Sequence, residues 1–202
     1  MQFGFFQIFG IALAILTIVL DTRENVWARP LSLLGISLSF FVYYAAGLYA
    51  KCLLNCIYIV LNSYGWYQWL YGGKNKTRLK VSTTAPGLLV ALVVLGLLTA
   101  WGLGKLLTLY SNAHLAYWDS LHTVICLIAH WLLIRKKLET WLFWTLADIL
   151  YTVVCYYKAI YLFSGLHAFY IILAISGYFT WRRSYMRQTA AVPVSSEDER
   201  IG

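Results

Sequence analysis

Of the eight acidic side chains in this 202-residue chain, only Asp148 falls deep inside a long apolar stretch. A carboxylate in such a place is costly, so it marks a function or a buried partner. Trp141, Trp144, Asp148 and Tyr151 follow one another at i, i+3, i+7 and i+10. On a helix these four share one stripe about 80° wide. Two indoles flanking a carboxylate would suit a flat, cationic heterocycle, gripped by stacking and by the ring quadrupole. The plainer alternative is Asp148 hydrogen-bonded to a tyrosine or threonine of a neighbouring helix. A second stripe, Tyr58, Asn62, Trp66 and Trp69, runs at i, i+4, i+8 and i+11, with Asn62 as its polar handle. Trp69 adjoins a basic loop and also fits an interfacial aromatic belt.

Other reactive residue types form no recognisable set. His122, His130 and His167 lack metal spacing or a neighbouring carboxylate and read as packing residues, as do Cys52, Cys56, Cys126 and Cys155, which show no zinc or disulfide pattern. There is no H-E-x-x-H, no G-x-S-x-G and no second aspartate inside an apolar stretch, and Gly72-Gly73-Lys74 lacks phosphate-loop spacing. The sequence therefore predicts no enzyme, no catalytic residue, no metal and no cofactor.

The elements that must position these residues are membrane helices. Hydrophobic residues make up 61% of the chain, mean hydropathy is +0.67, and charged residues are 12%, against about 25% in a soluble domain. Stretches near the 20 residues that cross a hydrocarbon core fall at 3–20, 31–49, 52–72, 86–109, 117–134, 140–158 and 161–181, with breaks read at Lys51 and near Lys158. The first lacks a basic leader and a cleavage site and reads as a retained helix. Thirteen of the 16 basic residues fall on one side of this seven-span layout, leaving Lys51, Lys105 and Lys158 opposite. That asymmetry predicts an outside N-terminus and a cytoplasmic C-terminus. It also makes the net charge of +8 topological; lipid is the predicted surrounding, and nucleic acid is not a partner.

The chain also repeats itself. At an offset of 112, Tyr58-Ile59-Val60-Leu61 meets Tyr170-Ile171-Ile172-Leu173, and Gly65-Trp66-Tyr67-Gln68-Trp69 meets Gly177-Tyr178-Phe179-Thr180-Trp181. A two-residue shift brings Trp27 onto Trp141. Three spans reverse the chain direction, so a single linking span makes two three-span repeats parallel, as in SWEET-type carriers, where substrate binds between repeats. The predicted fold is all-α: an integral membrane bundle of seven transmembrane helices in a 3+1+3 parallel-repeat arrangement. The predicted units are 1–84, a three-helix repeat with its loop; 85–112, the linking helix; 113–183, the second repeat; and 184–202, a disordered cytoplasmic tail.

The segments Asn62-Ser63-Tyr64-Gly65-Trp66-Tyr67-Gln68-Trp69, Trp118-Asp119-Ser120 and Glu139-Thr140-Trp141-Leu142-Phe143-Trp144-Thr145-Leu146-Ala147-Asp148 resemble the Pnu family of bacterial vitamin transporters, whose branches include the PnuC nicotinamide riboside and PnuT thiamine carriers. The resemblance runs from about Trp27 to Trp181. It implies facilitated diffusion across the bacterial inner (cytoplasmic) membrane, trapping of the vitamin by phosphorylation, and often a homotrimer. It makes Trp141 and Trp144 stacking walls and Asp148 the polar contact, and its third-helix motif adds Asn62, Trp66 and Tyr67. Asp119, just before a helical run, reads as a helix N-cap ahead of a substrate contact. The nicotinamide riboside motif W-x-x-W-x-x-x-N carries asparagine where this chain has Asp148. An ionised carboxylate only accepts hydrogen bonds, which favours thiamine, with its aminopyrimidine donors and cationic thiazolium, over nicotinamide riboside. A membrane sensor or scaffold that binds without transporting is the remaining alternative.

Overall fold

A computed structural model describes residues 2–45, 47, 49–110 and 115–190. These form seven α-helices: α1 Gln2–Thr22, α2 Ala28–Ala45, α3 Tyr49–Tyr71, α4 Pro86–Tyr110, α5 Ala116–Ile134, α6 Thr140–Tyr157 and α7 Tyr161–Ala190. Every predicted span has its helix. The α2–α3 break falls at Gly47, whose φ of +72° suits glycine, and Lys51 lies inside α3. Helix α7 continues to Ala190, so residues 184–190 are helical and not the start of a disordered tail; the rest of that tail, 191–202, lies outside the described residues.

Four helices are long and apolar enough to cross a membrane on length and composition: α2, α4, α5 and α7. Helices α3 and α6 fall short because they carry polar side chains that the bundle turns inward, Asn55 and Asn62 on one and Thr140 and Asp148 on the other, all buried. Such groups are tolerated in lipid when neighbouring helices cover them. The chain is thus a multi-pass membrane bundle.

Packing closes six helices into a ring, α1 on α2, α2 on α3, α3 on α5, α5 on α6, α6 on α7 and α7 back on α1. Helix α4 stands outside it and packs on α5 through the small-residue stripe Gly96, Ala100 and Gly104. A Cβ at Gly104 would lie 2.5 Å from the Tyr117 ring, so the approach requires glycine. The three-plus-one-plus-three order predicted by the repeat is realised, and the exchange of α1–α3 with α5–α7 maps the α3–α5 contact onto α7–α1.

The offset of 112 also holds atom by atom. Glu24 and Lys136 both adopt positive φ, +55° and +48°, in the α1–α2 and α5–α6 turns. The Cys52 thiol lies 3.8 Å from the Phe40 carbonyl where Ser164 Oγ donates to the Thr152 carbonyl at 3.0 Å. Trp69 Nε1 donates to the Leu133 carbonyl at 3.1 Å, and Trp181 Nε1 to the Asp21 carbonyl at 2.9 Å. The two rings meet edge-on, centroids 5.9 Å apart. Trp69 is therefore fully buried and no interfacial belt residue; the Arg29 guanidinium lies 5.0 Å and the Lys136 ammonium 4.6 Å from its ring. The two-residue shift is also unnecessary: the counterpart of Trp141 is Arg29, while Trp27 is exposed.

In the α5–α6 turn, Lys136 Nζ donates to Glu24 at 3.2 Å, joining equivalent positions of the two repeats. Burial pushes the Lys136 ammonium below the ordinary lysine value, and Glu24 opposes that shift. The loop after α3 lies over the same turn. Ser82 exchanges backbone hydrogen bonds with Lys136 and Leu138, and Thr84 donates to the Glu139 carboxylate from its amide and its hydroxyl.

Candidate functional site

Between the repeats lies a cavity of about 460 Å³, lined by all six ring helices and not by α4. Its volume is within the range of roughly 300–1,000 Å³ usual for small-molecule sites. The aliphatic part of the wall includes Leu13 and Ala14 from α1, Gly35 and Ile36 from α2 and Ala174 from α7. The acidic and basic groups gather in two places.

The first is beside the interhelical turns. The Arg29 guanidinium donates to the Asp21 carboxylate and, at 3.3 Å, to Asn62 Oδ1, while Asn62 Nδ2 donates to the Tyr58 carbonyl at 2.9 Å and lies 3.4 Å from His130 Nε2. Asp21, Arg29 and His130 line the cavity; Asn62 is fully enclosed behind them. Buried opposite charges here neutralise each other, which their burial requires.

The second lies on the inner faces of α6 and α7. Trp141, Trp144 and Asp148 line the cavity together, as their helical stripe predicts. Asp148 is buried, and its Oδ1 lies 2.7 Å from His167 Nδ1. Tyr151 does not reach the wall. It stands behind the pair, its ring centroid 4.5 Å from His167 and 4.7 Å from His122, and Tyr170 meets His167 edge-on at 5.4 Å. Trp141 is held edge-on by Trp181 at 5.4 Å, and its Nε1 is buried with no partner among the described residues.

The third-helix stripe does not form a wall. Trp66 is half-buried away from the cavity, and Tyr67 is exposed beside Tyr71, 5.5 Å between centroids. The contribution of α3 is Asn55. Asp119 is not the N-cap, which is Leu115; it sits exposed in the first turn of α5, where a negative charge still suits the helix dipole. Sequence reasoning missed Asp21, Arg29, Asn55, Tyr170 and the site role of the three histidines. A signal existed on α5, because His122, Cys126 and His130 recur at i, i+4 and i+8, and all three line the cavity.

Chemically, the arrangement offers two indoles, a carboxylate paired with an imidazole and aliphatic side chains, in a cavity whose other formal charges cancel.

Residues 4–183 match the protein family described as "Nicotinamide mononucleotide transporter". The "Nicotinamide riboside transporter PnuC" of Escherichia coli (strain K12) and that of Shigella flexneri are each 24% identical to this chain over 200 residues, covering 87% of it and 84% of the relative. A crystal structure described as that of the vitamin B3 transporter PnuC superposes with a TM-score of 0.66 at 20% identity, over 88% of this chain and 80% of that one, a likeness of fold.

Proposed function

The chain belongs to the nicotinamide mononucleotide transporter family, and from that footing we propose that it is a facilitator for a flat cationic vitamin, with nicotinamide riboside the foremost substrate. The observation that carries this reading is the convergence of Trp141, Trp144 and Asp148 on one cavity between the repeats. Nicotinamide riboside bears a permanent pyridinium charge, which an indole face and a carboxylate both favour. Its carboxamide can donate to Asp148 and accept from the Trp141 indole N–H. The relatives this chain resembles are named for nicotinamide riboside, which supports that substrate over thiamine, the one that the Asp148 substitution favours when considered alone. Thiamine stays as the second reading because of that same carboxylate.

The proposal extends to topology. Arg182, Arg183 and Arg187 on the end of α7 share a side with the turn residues Arg135, Lys136 and Lys137 in the predicted layout, which supports a cytoplasmic C-terminus in a bacterial inner membrane. Substrate moves down its own gradient, since no nucleotide-binding pattern is present to power it. Proteoliposomes containing the purified chain should equilibrate labelled nicotinamide riboside, and unlabelled nicotinamide riboside should compete better than thiamine. Accumulation of unmodified vitamin above the external concentration, or no uptake of either compound, would refute the proposal.

A further inference from the structure

The Asp148–His167 pair is not demanded by the fold. Its equivalents 112 residues earlier are Ile36 and Asn55, where the Asn55 amide simply donates to the Ile36 carbonyl at 3.3 Å. One turn away the same two helix pairs are closed alike in both repeats, by Ser164 on Thr152 and by Cys52 on Phe40. A neutral amide against a backbone carbonyl is thus enough to join these helices. The second repeat instead places an acid and an imidazole there, both on the cavity wall.

We propose that protons and the cationic substrate compete for the Asp148–His167 pair, so that loading one vitamin releases one proton to water. This rests on the cationic-vitamin reading given above. With a neutral imidazole donating from Nδ1, the pair carries one negative charge, the counter-charge a pyridinium or thiazolium needs. A proton added at Nε2 makes a carboxylate–imidazolium pair of net zero, and the cation loses its electrostatic partner. Imidazole is the side chain whose charge changes within the physiological range. By linkage, a proton that weakens vitamin binding is itself expelled by the vitamin.

Among the described residues no lysine or arginine answers this charge. Besides Asp148, α6 presents Tyr151, tilted against the His167 ring, and α7 itself presents Tyr170. From α5 come His122, bonded to Cys126 at 3.5 Å, and the more distant Asp119. Helix α2 adds Tyr43, and α1 has no titratable side chain from residue 8 to residue 20. The remaining acid of the cavity, Asp21, is taken by Arg29.

The test is calorimetric titration of the purified full chain with nicotinamide riboside, and separately with thiamine, between pH 5.5 and 8.5, repeated near pH 7 in two buffers of different ionisation enthalpy. Wild-type Kd should rise on acidification, approaching roughly tenfold per pH unit for one competing proton, and the buffer dependence should report proton release. His167→Gln should flatten the profile, while His122→Gln, itself on the cavity wall and free to change the affinity, should keep the slope. A pH-independent Kd without proton release, or an unchanged slope in His167→Gln, overturns the inference and leaves the vitamin reading standing. Should neither vitamin bind at any pH, both fall. If His167→Gln fails to fold, wild-type proton release and the His122→Gln profile still decide.

Discussion

A methyl group added at Gly177 would test whether Trp141 must lie where it does. A Cβ there would lie 2.6 Å from both Cδ2 and Cε2 of Trp141 and 2.7 Å from Cε3. Carbon atoms in good contact sit about 3.5–4.0 Å apart, so the methyl is about 1 Å too close to a rigid ring. The indole has little room to retreat, because Trp181 stands edge-on against it. It must swing into the cavity or push α6 from α7. Overpacking of this kind costs about 1–3 kcal/mol, and the gain in helix propensity over glycine returns at most about 1 kcal/mol. A net loss of about 1–2 kcal/mol expressed at the binding wall raises Kd by about 5- to 30-fold. The equivalent change Gly65→Ala is the internal control. Its Cβ would meet the flexible Ile134 Cγ1 at 3.1 Å and Arg29 Cδ at 3.7 Å, and the effect should stay within a few-fold. Titration calorimetry with nicotinamide riboside and thermal melts in one detergent read both variants. Wild-type affinity and melting in Gly177→Ala, or an equal loss in Gly65→Ala, would refute the reasoning.

Asp148→Asn keeps the shape and can still accept from His167 but removes the charge. It should weaken thiamine about 10-fold or more, from the loss of a charge-assisted bond worth about 1.5–3 kcal/mol, while nicotinamide riboside loses less or gains; calorimetry showing thiamine unchanged and nicotinamide riboside excluded would make Asp148 structural. Asp21→Asn or Arg29→Met should each destabilise the fold by about 3–5 kcal/mol by stranding a buried charge, and the double variant should recover most of that; single variants that melt like wild type would contradict it. Glu139→Gln should loosen the loop that Thr84 anchors, at about 1–2 kcal/mol, seen as faster limited proteolysis after Lys74 to Lys80; unchanged cleavage would show that Glu139 does not hold it.

The spans were legible because bilayer thickness leaves few choices, and the Trp141, Trp144, Asp148 face because one helical stripe turned inward as a unit. The companion stripe on α3 was equally regular yet misleading. Periodicity says which residues share a face but not which neighbour that face meets, and α3 packs on both α2 and α5. Asn62 therefore answers to Arg29, and Trp66 and Tyr67 stay off the cavity wall. Pairing Trp27 with Trp141 failed for a related reason. Equivalent backbone positions in the two repeats hold unlike residues, Arg29 and Trp141, since the repeats share a scaffold and divide the chemistry. His167 was beyond reach of local reading because its partner stands on another helix, 19 residues away.

The crossed tryptophans set an order on biosynthesis. A ribosome releases the Asp21 carbonyl, which accepts from the nearby Glu24 amide, long before Trp181, its second donor 160 residues later. Until α5 enters the bilayer, the first three helices carry a Trp69 indole waiting for the Leu133 carbonyl of a helix not yet made. Neither half can be completed alone. A chain cut before α7 would present the membrane quality-control machinery with an Asp148 carboxylate lacking its His167 partner and an open side, and it should be degraded as unfinished even though six of its seven helices had already inserted.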